Sequence, residues 1–270
     1  MSFISKPLAF VYRDFISEST YKFAFFVEFF EILISVLTFF FFSKLLGKTV
    51  IPYLEPYGGN YFSFVLIGIA LFSYLQISMN SFSSSIRQGQ IYGTLEALLV
   101  TQTEIPTIIL SSSLYSFIWT SFRVIVYLAV GVVVFGMDIG NANLPAALLI
   151  LLLTILSFSS LGIISASFIM VLKRGDPVSW VFSGLSSLLG GLYYPISVLP
   201  DWLQNFSYLL PVTYSLEGMR LALLRGYSLS QLMPNIVALV IFSIIMLPLS
   251  ILTFGYAVRK AKADGTLTQY

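Results

Sequence analysis

Between two long apolar stretches the chain carries Arg87-Gln88-Gly89-Gln90 and then Gly93-Thr94-Leu95-Glu96-Ala97-Leu98-Leu99, returning to apolar sequence at Pro106. Ile91, Leu95, Leu98 and Leu99 recur at i, i+4, i+7 and i+8, one apolar stripe of a short helix. Thr94, Glu96, Ala97 and Thr101 fall on other faces, and Glu96 offers a fixed charge to a basic partner. The chemistry on offer is recognition: a polar segment that a soluble protein grips, or else a solvated helix resting on the bilayer. Bond-making chemistry is poorly supplied. The absence of histidine removes the commonest general base and metal ligand. The absence of cysteine removes thiolates, disulfides and Cys-based metal sites. Ser–His intramembrane proteases, His-dependent acyltransferases and His-ligated zinc proteases are thereby excluded. No clustered carboxylates suggest a magnesium-dependent lipid transferase, so an intramembrane enzyme is a remote alternative.

Such a segment must be held by its neighbours, and composition says what they are. The 270 residues are 57% hydrophobic and only 10% charged, with a mean hydropathy of +0.91. A soluble domain carries about a quarter charged residues. The pattern is that of an all-α, polytopic membrane protein of one domain. Six stretches reach the roughly 20 apolar residues that a bilayer crossing needs, near 23–46, 61–84, 107–136, 144–172, 178–199 and 233–257. Residues 5–22 place Leu8, Val11, Phe15 and Ile16 on one helical face and Arg13, Asp14, Ser17 and Glu18 on the other, as an interfacial helix does. With five charges, among them Arg13, Asp14, Glu18 and Lys22, and no small-residue cleavage site, residues 1–22 do not read as a signal peptide.

Basic residues orient the spans. Lys6, Arg13, Lys22, Arg87, Lys173, Arg174, Arg259, Lys260 and Lys262 fall on the termini and even-numbered loops. Only Lys44, Lys48, Arg220 and Arg225 fall opposite, and Arg123 lies within the third span. Both termini are therefore expected in the cytoplasm, and a net charge of +2 is too small to suggest nucleic acid as a partner. Charges within spans cost several kcal/mol unless paired or wet. Glu28, Glu31 and Arg123 are three of them, with Glu31 or Glu217 a candidate partner for Arg123 and helix packing the plainer role. Phe39-Phe40-Phe41-Phe42 reads as lipid-facing bulk rather than a binding box.

The outer side carries a second informative stretch. Gly190-Gly191 and Pro195 break the fifth span. Leu199-Pro200-Asp201-Trp202-Leu203-Gln204 opens an apolar segment too short to cross, and after Pro211 a stripe of Leu216, Met219, Leu223 and Leu224 follows. Glu217 and Arg220, at i and i+3, are placed for an ion pair. Two short re-entrant helices capping a transport path satisfy this pattern, as does an amphipathic external loop. An outer gate would draw on Pro195, Pro200, Trp202, Pro211, Leu216, Glu217, Met219 and Arg220.

Two motifs carry a family resemblance. Ile86-Arg87-Gln88-Gly89-Gln90, then Gly93-Thr94-Leu95-Glu96-Ala97-Leu98-Leu99 and Thr101, resembles the signature of ABC type-2 permeases, the membrane subunits of ATP-binding-cassette exporters. That signature usually has an acidic and basic run, then Gly-Thr-Leu-Glu, two leucines and Thr-Pro. Here Gln88 and Gln90 replace acids and Gln102 replaces proline. Gly191-Leu192-Tyr193-Tyr194-Pro195, Leu199 to Gln204, Pro211-Val212-Thr213-Tyr214, Glu217, Arg220 and Gly226 resemble the family's other signature. The resemblance implies a permease that pairs with a second copy of itself and docks a separate ATP-binding-cassette ATPase. Arg87, Gly93, Thr94, Leu95, Glu96, Leu98 and Leu99 would form the coupling helix. It implies no cofactor on this chain, with ATP and magnesium on the ATPase, and residence in a prokaryotic inner membrane.

The chain has its own decoys. Gly47-Lys48-Thr49 mimics the end of a phosphate-binding loop, but that motif needs a glycine where Phe42 stands. Asn205-Phe206-Ser207 is a formal glycosylation sequon, and Arg174-Gly175-Asp176-Pro177 reads as the cytoplasmic turn between spans four and five. The runner-up function, an ATPase-independent secondary transporter, calls for repeated halves with broken helices at the midplane. The breaks here lie in one outer loop. An almost uncharged set of spans suits a lipid, a hydrophobic drug or a lipid-linked glycan.

Overall fold

The computed structural model describes residues 5–19, 22–91, 93, 105–172 and 176–264. The helices are α1 (Ser5–Ser19), α2 (Lys22–Leu46), α3 (Tyr61–Ile91), α4 (Ile105–Val133), α5 (Leu144–Leu172), α6 (Pro177–Leu189), α7 (Asp201–Ser207), α8 (Pro211–Leu224) and α9 (Met233–Ala263). Short helical turns fill 47–57, and the described residues contain no strand.

Among the described residues five helices are long and apolar enough to cross a membrane: Phe26–Leu46, Tyr61–Gly89, Ser113–Val133, Leu144–Leu172 and Met233–Ala263. The expected crossing at 178–199 differs. Its helix has 13 residues, about 20 Å at 1.5 Å per residue, against the roughly 30 Å of a hydrocarbon core. Gly190 and Gly191, the latter at φ 78°, turn the chain out of the helix, and 190–200 continues as irregular backbone with one 3-10 turn at Ile196–Val198.

Helix α5 is the hub, packing on α3, α8 and α9. Apolar side chains cannot drive association where lipid is equally apolar, so membrane helices associate through close backbone approach at small residues. The inward face of α5 supplies Ser157, Ser160, Gly162, Ser165 and Ala166, all buried. At Gly162 a Cβ would lie 1.8 Å from the Ser78 carbonyl oxygen of α3, so only glycine permits that crossing. Across the α5–α9 seam Ser157 and Ser243 share a hydroxyl hydrogen bond of 2.8 Å.

The ends of α3, α5 and α9 at Ile91, Leu172 and Ala263, the side expected from the basic residues to be inner, carry their own core. Phe82 and Ile86 pack with Ile163, Ala166, Met170, Phe254, Ala257, Val258 and Ala261. This packing explains why α3 runs to Ile91 and α9 to Ala263, beyond the expected ends at 84 and 257. Helix α1 packs along α4, whereas among its described side chains α2 contributes Ile32 and Val36 to the buried core. The four-phenylalanine run divides. Phe40 meets Phe62 and Phe135 at ring-centroid distances of 5.6 and 4.6 Å, and Phe39 stacks on Tyr193 at 5.8 Å. Phe41 and Phe42 remain exposed, so only half of the run is surface bulk.

Gly162→Ala should force α3 and α5 apart and destabilise the protein by about 1–3 kcal/mol, the usual cost of overpacking. The readout is the thermal unfolding midpoint of the detergent-solubilised protein, with Gly255→Ala, whose Cβ meets nothing within 4 Å, as the neutral control.

Candidate functional site

Three places bear on function: the inner end of α3, a groove between α3 and α6, and the outer cap around α8. At the inner end, Arg87 is exposed and Gly89 buried on the last turns of α3. After Ile91, Gly93 adopts φ 67°, the left-handed conformation that commonly ends a helix. Thr94, Leu95, Glu96, Leu98 and Leu99 lie outside the described residues, as does Arg174-Gly175. The expected coupling helix is therefore represented here by Arg87 and Gly93 alone.

The groove was not anticipated as a site. Phe72, Gln76 and Asn80 follow one another at i+4 along α3, and Ser179, Ser183 and Ser187 do the same along α6. Together with Trp180, Gly184 and Asp176 they line a depression of about 450 Å³. Asn80 Nδ2 donates to Gln76 Oε1 at 3.5 Å, and Ser187 Oγ donates to the Gly184 carbonyl at 2.9 Å. Trp180 is 80% exposed at the rim. A sequence signal existed. Two amides one turn apart within an apolar span mark a face that cannot lie against lipid at low cost.

Asp176 closes the inner end of the groove. It is not a surface turn residue. Its carboxylate accepts from the Ser179 N–H at 2.9 Å, which caps α6, and from the hydroxyls of Ser179 and Ser165. Pro177 occupies the first turn of α6, where a missing N–H costs nothing.

The charges within the spans converge. Arg123 Nη1 lies 2.9 Å from Glu28 Oε1, and its Nη2 lies 3.9 Å from Glu31. Trp119 Nε1 also donates to the Glu28 carboxylate, at 3.0 and 3.2 Å. Glu28 is thus the principal partner and Glu31 a secondary one. Glu217, the other candidate, is bound elsewhere. Arg123 and Glu28 pin α4 to α2, while the Glu31 side chain stays 69% exposed on the outer face of α2.

The outer cap is organised by Arg220, 2% exposed. Its Nε donates to the Phe64 carbonyl at 3.0 Å, Nη1 to Gly191 at 2.7 Å and Nη2 to Leu192 at 2.8 Å. Its guanidinium carbon sits 3.4 Å from the Phe64 ring centroid, and Tyr57 packs on that ring at 5.0 Å. Burial, with Glu217 nearby, raises the Tyr57 phenol above its ordinary range. The expected Glu217–Arg220 pair does not form. Glu217 Oε2 accepts from Asn235 of α9 at 3.2 Å, because Arg220 turns inward to the carbonyls freed where α6 ends. Leu216 and Met219 are buried in the core, Pro200 precedes α7, Pro211 opens α8, and Trp202 is 64% exposed. Pro195, in extended conformation, leads into the Ile196–Val198 turn.

Arg220→Leu strips the donors from the Gly191 and Leu192 carbonyls and should cost about 3 kcal/mol, at 1–3 kcal/mol per orphaned buried group. Gly68→Ala should lower the unfolding midpoint as well, because its Cβ would lie 2.6 Å from Arg220 Nη2 and 2.8 Å from the Leu192 carbonyl oxygen. Unaltered midpoints for both variants, read by thermal melts in detergent, would remove this node from the stability of the fold.

A profile described as ABC-2 type transporter matches residues 8–224. No curated protein matches the chain. The match takes in the end of α3 at Ile91, the groove and the whole of α8, and covers well over half of the sequence. The chain belongs to the ABC-2 type transporter family and is an integral, multi-pass membrane protein of the permease kind.

Proposed function

We propose that this ABC-2 family member is the membrane half of an exporter, in which two copies close a substrate path between their α3–α6 faces. Each copy would dock a separate ATPase through residues 87–103. The observation that carries this reading is the groove. Its amides and hydroxyls at membrane depth would each cost several kcal/mol against hydrocarbon. A second copy removes that cost. In a two-fold dimer the same patch meets itself, so two grooves face each other and enclose one polar conduit.

The lining also bears on the substrate. Gln76, Asn80, Ser183 and Ser187 present neutral donors and acceptors, Trp180 presents a stacking face, and the carboxylate of Asp176 is engaged by serines. Among a lipid, a hydrophobic drug and a lipid-linked glycan, this chemistry favours the glycan, whose hydroxyls pair with amides while its tail stays in lipid. The path would cross six times, with both termini cytoplasmic in a prokaryotic inner membrane. The crossing at 178–199, fifth in chain order, would be built from α6 and the irregular 190–200 segment, whose start at Gly190, Gly191 and Leu192 is buried in protein as irregular backbone at that depth must be. The α7–α8 pair would seal the outer end. ATP and magnesium would act on the ATPase alone.

The test is capture of the tagged chain from gently solubilised native membranes, followed by reconstitution with the ATPase it retains. Glu96→Arg should leave the protein inserted and abolish transport-linked ATP hydrolysis. The double variant Gln76→Leu, Asn80→Leu should keep assembly and lower glycan transport by about tenfold, the loss expected when a few polar substrate contacts go. Recovery of the chain without an ATPase, under conditions that hold a control complex together, would overturn the reading. So would full transport by the leucine variant.

A further inference from the structure

We infer that the buried cluster of Ser83, Ser165, Asp176 and Ser179 is the mechanical link that carries movement of the inner end of α3 to the groove helix α6. The inference rests on the proposed docking of an ATPase at residues 87–103. Ser165 Oγ of α5 lies 2.5 and 2.6 Å from the two Asp176 carboxylate oxygens. Ser179 Oγ donates to the same carboxylate at 2.5 Å and lies 3.0 Å from Ser165 Oγ. Ser83 Oγ of α3 lies 2.7 Å from Ser165 Oγ, and the Met79 carbonyl of α3 lies 3.3 Å from Ser179 Oγ. Ser165 of α5 and Ser179 of α6 thus meet on one carboxylate, and α3 joins them through the Ser83 hydroxyl and the Met79 carbonyl. The three serines are buried.

Position gives the cluster its role. Ser83 stands one turn outward of Arg87, at the end of α3 that leads into the proposed ATPase contact. Asp176 is the residue from which α6 starts, and α6 carries Ser183 and Ser187 into the groove. Gly162 and Ser78 already hold α3 against α5 with no room for a methyl group between them, so those two helices move as one body. Without the cluster, α6 would meet them through side-chain packing that can slide. Short, directional hydroxyl bonds to a carboxylate are roughly twice as strong as neutral ones and tolerate little change of angle. They make the start of α6 follow α3. Asp176, Ser165 and Ser179 are accordingly positioning residues.

Asp176→Asn separates this role from folding, because asparagine caps a helix about as well as aspartate yet is a weaker acceptor for the two hydroxyls. Ser165→Ala removes the central donor by a second route. The natural chain has no cysteine, so spin labels can be placed at Gln88→Cys and Gly184→Cys with no background. Gly184 faces open space. In the complex with the captured ATPase, nucleotide should change the inter-copy distance at both labels. In Asp176→Asn and Ser165→Ala the change at 88 should persist and that at 184 should vanish. The unlabelled Ser165→Ala variant, which lies outside the groove lining, should keep ATP hydrolysis within about twofold while transport per ATP falls about tenfold, an ordinary coupling magnitude. Retention of the 184 response in both variants overturns the link, as does joint loss of both responses. If nucleotide moves neither label in the otherwise unaltered complex, the docking reading itself fails and the link falls with it.

Discussion

The fold depends on how backbone polar groups are satisfied where the chain stops being helical inside a low-dielectric medium. Arg220 is the solution at the outer end. Helix α6 stops at Leu189, and the carbonyls of Gly191 and Leu192 then have no helical donor. One guanidinium serves both, and also the Phe64 carbonyl of α3, while its flat face lies on the Phe64 ring. A charge buried without a carboxylate is expensive, and several short hydrogen bonds to carbonyls with a stacked aromatic compensate for it. Remove that arrangement and the irregular 190–200 segment loses the support that lets it run within the bundle.

The same constraint governs the interior more quietly. Serine is the commonest polar group among the buried residues, often returning its proton to a carbonyl one turn back, as Thr154, Ser167 and Ser243 do. Such residues are small enough for close helix contact and satisfied enough to sit in an apolar core. Where two meet across a seam, as at Ser157 and Ser243 or Thr154 and Ser215, they add a directional contact that leucines lack. A path wall must be polar where it faces the path, and the packing around it must stay close and dry. In this chain both demands are met largely with neutral groups, and the charges described within the bundle are Arg123 with its glutamates, Asp176 on its serines, and Arg220 and Glu217 at the cap.

Much of this was legible in advance. Length and apolarity placed α2, α4 and α5 within about three residues, and the starts of α3 and α9, whose far ends run past the expected 84 and 257, since a 20-residue apolar run has few alternatives to a spanning helix. The breaks at Gly190, Gly191 and Pro195, and the short helices after Pro200 and Pro211, were readable from helix-breaking residues alone. The partner choices were not. Glu217 and Arg220 have the spacing of an ion pair, yet the inward turn of Arg220 depends on carbonyls 28 and 29 residues away in sequence. Arg123 had two candidate carboxylates by spacing, and a third, Glu28, lies closest. The groove escaped because its two walls, α3 and α6, are about 100 residues apart, as the Met79–Ser179 contact measures.

By itself the sequence determined the solvent in which this protein folds, the rough extent of five long helices with a sixth expected at 178–199 that the break at Gly190 shortens, the absence of histidine and cysteine chemistry, and the family. These follow from local composition and spacing, which act over one helix length. Tertiary structure alone decided that Arg220 turns in to the carbonyls of Gly191 and Leu192, that Asp176 turns in against Ser165 and Ser179, and that Gln76, Asn80, Ser183 and Ser187 line one groove. Each of these depends on which faces of distant helices meet. In a membrane that choice is made by close backbone approach and hydrogen-bond satisfaction, which leave no periodic trace along the chain.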